Sequence, residues 1–254
     1  MNTLKTILLL GILSSLIIGL GGLFGGREGV FIAFFFALVM NVGSYWFSDK
    51  IALAAHGAMP LSREEAPDLY EIVERLSAKA DIPTPPIYLI PSESPNAFAT
   101  GRDPEHSAIA VTEGILRLLN LRELEGVLAH ELGHVKNRDV LITTIAAVLA
   151  SVITWIAHMG MFLGDGDREN APNPIFALLL AILAPFAATI INLAISRARE
   201  FEADATGAHL CGRPLELASA LTKIDDSMRV VPMREANPAY SSLYISNPDP
   251  QSLL

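Results

Sequence analysis

At 254 residues, the chain is 51% hydrophobic and 18% charged, with a mean hydropathy of +0.41, which is too apolar for an ordinary soluble domain. The formal net charge of −9 and a pI near 5.1 offer no electrostatic footing for a nucleic-acid partner. The single cysteine, Cys211, excludes an intrachain disulfide and a cysteine-built zinc site.

The apolar surplus is concentrated in four blocks free of Asp, Glu, Lys and Arg: residues 6–26, 29–48, 140–164 and 170–196. Each is long enough to cross about 30 Å of hydrocarbon as a helix. The first is too long for a signal-peptide core and no A-x-A-like cleavage site follows it, so it reads as an uncleaved anchor. Of the 18 Lys and Arg, only Arg27 and Arg168 fall in the short loops after the first and third blocks. Lys5, Lys50, Lys136, Arg138, Arg197 and Arg199 flank the other ends. The positive-inside rule then places both termini and the middle segment in the cytoplasm.

Residues 49–60 read as a short amphipathic connection that can prolong the second helix. Ser62-Arg63-Glu64-Glu65 carries a capping-box signature and predicts a helix running to about Lys79, with Leu69, Ile72, Val73 and Leu76 inward. Pro83, Pro85 and Pro86 break it. Three short strands are then expected at 87–90, 96–100 and 107–112, the last two separated by a turn-rich linker. Asn96, Ala97, Phe98 and Ala99 form the edge against which an extended peptide can pair, although the same pattern also suits an ordinary edge strand. A short helix over 113–119 leads into a longer one over 121–139.

That longer helix carries Ala129-His130-Glu131-Leu132-Gly133-His134. Residues four apart share a helix face, so His130 and His134 present two imidazoles to one ion. Glu131 lies about 100° round the helix, where it reaches a water bound to that ion instead of ligating it. This is the donor set of a zinc hydrolase, in which the metal acidifies a water and the Glu takes its proton. A third His six residues after His134 would mark a metzincin, but Val140 stands there. A Glu from a later helix is the other common solution, and Glu200 in Ser196-Arg197-Ala198-Arg199-Glu200-Phe201-Glu202-Ala203-Asp204 is the best candidate. Asp204, on the same face, can accept from the outer nitrogen of a ligand His, and Asn137 is a second such supporting residue. Taken alone, Arg197, Arg199, Glu200 and Glu202 would read as a solvated face after a membrane helix; the His-bearing motif favours the ligand reading.

From His134 to Glu200 is a gap of 66 residues, filled by the third and fourth blocks as one up-and-back hairpin. Both ligand segments should thus emerge together at the membrane surface. His158 reads as a helix-packing residue, and His56, His106 and His209 as exposed or locally hydrogen bonded. Past Glu200 the helix should continue to about Leu210, a second helix is expected over 214–230, and residues 231–254 read mostly as loop. The organisation is a transmembrane hairpin (1–48), the first part of a protease domain (49–139), a second hairpin (140–196), and the remainder of that domain (197–254). The fold class is an α-helical membrane protein with four transmembrane helices and a cytoplasmic α+β zincin-like protease domain.

The stretches NAFATG (96–101), AHELGHVKNRDV (129–140) and SRAREFEADATGA (196–208), with the four apolar blocks, resemble the HtpX family of membrane zinc metalloproteases over essentially the whole length. The resemblance implies one Zn2+ per chain on His130, His134 and Glu200, with Glu131 as catalytic base. It implies an inner-membrane endopeptidase with a cytoplasmic active site, acting on damaged or misassembled membrane proteins and unfolded polypeptides during stress. Family members also carry an oxyanion-stabilising His in a His-Pro-Pro segment. No His follows His209 here, so either the sequence is a piece of a longer chain that carries this His or the donor comes from elsewhere, with Arg197, one turn before Glu200, as the candidate substitute. Two rival readings are an intramembrane site-2 type protease, disfavoured by Arg122, Glu123, Glu125, Lys136 and Arg138 on the motif helix, and a zinc-binding membrane scaffold without turnover.

Overall fold

Asn2–Ala55 (α1) is a helical run that reverses at Gly26, whose φ of 57° and ψ of −142° lie outside the helical region. Without a Cβ, Gly26 adopts this conformation at little steric cost. The two arms return on each other: Asn41 Nδ2 donates to Ser14 Oγ at 2.8 Å, and a Cβ on Gly29 would collide with the backbone of Gly21. The computed structural model describes residues 2–149, 196–230 and Ile245. Within them, one helix, Gly25–Ala55, is long and apolar enough to cross a membrane, and Leu10–Leu23 is apolar but shorter. Its outer face is a run of exposed apolar side chains that includes Phe31, Phe35, Val39, Trp46 and Phe47. The second arm extends past the expected end at residue 48 to Ala55, because Asp49 and Lys50 are compatible with a helix that has left an apolar environment.

Of the third apolar block, Val140–Leu149 (α5) is described and is helical. Ile145, Ala146 and Leu149 pack on Leu10, Leu16, Ile17, Leu20 and Met40 of the α1 hairpin. The rest of that block, His158 and the fourth block lie outside the described residues.

Four strands form one mixed sheet in the order β1-β2-β4-β3: Met59–Pro60 (β1), Ile87–Ile90 (β2), Ala97–Gly101 (β3) and Ser107–Thr112 (β4). The central pair, β2 and β4, is parallel, and the outer strands are antiparallel to their neighbours. β1 was not expected, since a two-residue strand carries no alternation to read. Period-two alternation divides the sheet between two cores. Ile87, Ile109, Val111 and Ala97 face the principal core with Pro67–Ala80 (α2), Leu121–Lys136 (α4) and Pro214–Val230 (α7). Ile90, Phe98, Ala108 and Ala110 face the ends of the apolar helices, against Ala52 and Leu53 of α1 and Ala147 of α5. The sheet thus joins the α+β unit directly to the helical hairpin. Two polar links reinforce the joint. Thr100 and Thr144 share a buried hydroxyl hydrogen bond of 3.1 Å, and the Arg102 guanidinium lies 4.7 Å from the centre of the Trp46 ring.

α2 buries the expected Leu69, Ile72, Val73 and Leu76, but starts at Pro67. Glu65 does accept from the Ser62 N–H and hydroxyl, closing a separate turn before the helix. Pro67 in the first helical turn, where a missing N–H costs nothing, sets the boundary instead. Glu113–Leu118 (α3) is capped by Thr112, and α4 by Asn120, whose side chain accepts from the Arg122 and Glu123 amides while Glu123 reaches back to its N–H.

α4 ends at Lys136, three residues before the expected end. Arg138 has a φ of 58°, in the left-handed region that non-glycine residues enter at a cost of about 1–2 kcal/mol. Arg197–Cys211 (α6) crosses α4 at close range because each helix presents a glycine at the crossing. A Cβ on Gly207 would lie 2.9 Å from the His130 backbone nitrogen, and one on Gly133 would lie 2.9 Å from the Ala203 carbonyl oxygen. Gly207→Ala should therefore push α6 off α4 and destabilise the fold by about 1–3 kcal/mol, the usual cost of overpacking. Thermal melting in detergent reads this, with Gly43→Ala as a control because its Cβ would meet open space.

Candidate metal centre

His130 and His134 project from one face of α4 with their Nε2 atoms 3.1 Å apart. Glu200, in the first turn of α6, places Oε2 3.6 Å from His130 Nε2 and 3.7 Å from His134 Nε2. A triangle with those sides encloses a point about 2.0 Å from every corner, which is the length of a zinc–imidazole or zinc–carboxylate bond. Two imidazoles and a carboxylate also suit a borderline divalent ion chemically. Among the described residues, these three bring one donor atom each close enough together that they could hold a metal ion. The histidines are largely buried while the Glu200 side chain is 53% exposed, so the triangle is open on the α6 side.

Each imidazole is held from behind by a carboxylate. His130 Nδ1 lies 2.9 Å from Asp204 Oδ1, one helical turn beyond Glu200 on α6. His134 Nδ1 lies 3.2 Å from Asp139 Oδ2. Asn137, expected in this role, donates instead to Thr206 at 3.4 Å. Asp139 was missed because the sequence reading carried α4 through position 139. The left-handed turn at Arg138 swings it back under His134, and only the unusual φ signals this. Asp139 is 1% exposed and its Oδ1 has no hydrogen-bond partner among the described residues. The Arg199 guanidinium, itself buried on α6, feels the Asp139 and Glu200 charges. Arg197 is exposed on the first turn of α6 and makes no ion pair among the described residues.

Glu131 is buried beside the triangle, where its Oε2 accepts the Ala99 backbone N–H of β3 at 2.8 Å. This places the carboxylate between the His130–His134–Glu200 triangle and the sheet edge. Burial raises its pKa, and the two imidazoles and the Ala99 N–H offset part of that rise. Burial disfavours protonation of His130, but its hydrogen bonds to Asp204 and Glu200 prevail and raise it to about 9. The same opposition, with Asp139 and Glu200 as partners, raises His134 to about 10. Glu200 is held below the carboxylate range because its bonds to the two imidazoles outweigh its own burial.

An ion held by this triangle needs both imidazoles free of a proton at Nε2, and the carboxylates that raise their pKa favour the protonated rings, so metal binding here competes with protons. Affinity should rise with pH up to about 10, the higher of the two imidazole values, with proton release at pH 7 detectable by calorimetry in buffers of different ionisation enthalpy. Binding without proton release would contradict the assignment. Asp139→Ala should weaken metal binding by roughly 10- to 100-fold in a chelator competition, and Asp139→Asn should retain most of it because an amide oxygen still accepts from Nδ1.

The model of peptidase family M48 matches residues 63–251 of this chain. The chain is 53% identical to a "Protease HtpX homolog" of Pelotomaculum thermopropionicum, over 98% of this chain and 90% of that protein. It is 52% identical to a namesake from Pyrococcus furiosus, over 96% of this chain and 86% of that one. The fold is similar to the crystal structure of S. mikatae Ste24p, with a TM-score of 0.51 at 20% identity, covering 95% of this chain and 61% of that one. A family match over most of the chain, together with full-length relatives at this identity, establishes that the chain belongs to peptidase family M48 and is a metalloprotease.

Proposed function

We propose that the chain is a zinc-dependent endopeptidase acting at the cytoplasmic face of a membrane on damaged or misassembled membrane proteins and unfolded polypeptides. The observation that carries this reading is the position of Glu131, a buried carboxylate fixed between the His130–His134–Glu200 triangle and the outer edge of β3. His130, His134 and Glu200 would hold the ion. Zn2+, when bound, supplies Lewis-acid polarisation of the scissile carbonyl and acidifies the attacking water. Glu131 takes the proton from that water and passes it to the leaving amine, and its burial makes it a stronger base than an exposed carboxylate. The Ala99 N–H keeps the carboxylate aimed during both transfers. An extended substrate, paired with the edge at Asn96, Ala97, Phe98 and Ala99, would place its carbonyl over the triangle. Arg197, on the open side one turn before Glu200, is the proposed oxyanion donor.

The membrane assignment rests on the α1 hairpin, on the apolar blocks at 140–164 and 170–196, and on the basic residues clustered at one set of helix ends. Packing of the sheet onto Ala52, Leu53 and Ala147 puts the triangle close to where α5 leaves the α+β unit. That location favours cytoplasmic segments of membrane proteins as substrates. α4 is enclosed by α2, α6, α7 and the sheet, which argues against an intramembrane protease of the site-2 type.

Purified protein in detergent should bind about one zinc per chain and cleave an unfolded or membrane-protein substrate, with activity lost to a chelator and restored by Zn2+. Glu131→Gln should keep the metal and lose about 10²–10⁴-fold in kcat, the range for removing a general base. Glu200→Ala should lose both metal and activity. Undiminished cleavage by the Glu131→Gln variant would refute the mechanism, and full zinc binding by Glu200→Ala would refute the ligand set.

A further inference from the structure

β3 ends the sheet, yet its outer edge is not vacant. The Ile245 N–H lies 3.4 Å from the Ala97 carbonyl oxygen and 3.2 Å from Asn96 Oδ1, so one donor is shared between both acceptors. The Ile245 side chain packs against the principal core. Two residues further along β3, the Ala99 N–H is given to Glu131. Ala97 and Ala99 share an edge because backbone groups of alternate residues in an extended strand point the same way. Their outward groups lie roughly 6–7 Å apart at the rise of a β-strand. The Ile245 backbone therefore sits within one residue pair of the proposed base, on acceptors that an extended substrate would need.

We infer that the backbone at Ile245 is an internal occupant of the substrate edge, which an incoming polypeptide displaces from Ala97 and Asn96 before cleavage. This inference rests on the protease reading above. Two features make the occupant displaceable. It is held at the edge by one shared N–H at long distances, and a competing strand offers the same group while adding its own contacts at the triangle. Its apolar side chain, meanwhile, gives it a definite seat. The site thus favours substrates that can supply an extended, unfolded stretch of backbone, because most N–H groups of a folded chain are already bonded and few can be offered in extended form to replace that of Ile245.

Ile245→Pro removes the donor without adding charge. On a zinc-loaded full chain, the KM for an unstructured polypeptide should fall about five-fold, the worth of one net backbone hydrogen bond, with kcat unchanged. A fluorescent unstructured peptide should also bind the metal-loaded Glu131→Gln protein more tightly by the same factor when Ile245→Pro is added. This binding arm does not depend on turnover. Tighter peptide binding by a protein that never cleaves would leave the occupant standing and bring down the protease reading. Glu131-dependent cleavage with KM and binding unmoved by Ile245→Pro would overturn the occupant. If the proline variant fails to retain metal, Ile245→Ser decides. It keeps the N–H but gives up the apolar anchor, so KM must fall if the inference holds, and an unchanged or raised KM refutes it.

Discussion

The close crossing of α4 and α6 is the constraint on which the centre depends. Glu200 and Asp204 meet His130 and His134 where the two helix backbones approach more closely than ordinary side chains allow. Gly133 and Gly207 permit this, each facing the backbone of the opposite helix. From that crossing follow the dimensions of the ligand triangle and the bond from Asp204 to the outer nitrogen of His130. A Cβ at either glycine would push the helices apart and alter the distances from Glu200 to both imidazoles. The glycine in the motif therefore has a packing role of its own, beside His134.

Around this crossing the polar groups are arranged in two layers. The inner layer is two imidazoles and a carboxylate, spaced so that one ion could meet all three. The outer layer, Asp204 and Asp139, fixes ring orientation and tautomer. A low-dielectric setting strengthens each of these bonds and also makes an unmatched charge costly. The Asp139 carboxylate is buried, with Oδ2 on the His134 ring and the Arg199 charge nearby, while its Oδ1 lacks a hydrogen-bond partner among the described residues. Its location at the foot of α5 means that one residue both orients a ligand and begins an apolar helix.

The sheet has a comparable double use. One face completes the core under the motif helix, and the other rests on the ends of α1 and α5. Its outer edge supplies the Ala99 amide to Glu131 and the Ala97 carbonyl to Ile245. Glu131 and the apolar helices α1 and α5 are thereby tied to a single short strand, through the Ala99 amide on one side and Phe98 and Thr100 on the other.

The amino-acid sequence by itself determined what depends on local spacing. The i, i+4 imidazoles, the Glu200–Asp204 pair, the inward stripe of α2, the central strands and the reversal between two apolar helices are all set by periodicities of 3.6 and 2 and by turn residues. The tertiary structure alone decided what depends on long-range placement. Asn137 and Asp139 both follow the motif closely, and a left-handed residue at Arg138 selects Asp139 as the partner of His134. Nothing in a run of residues 96–101 announces that its edge meets Glu131 at one position and Ile245, about 150 residues on, at another. Spacing along a helix fixes which side chains share a face, but which backbone they meet is set by packing between segments far apart in the chain.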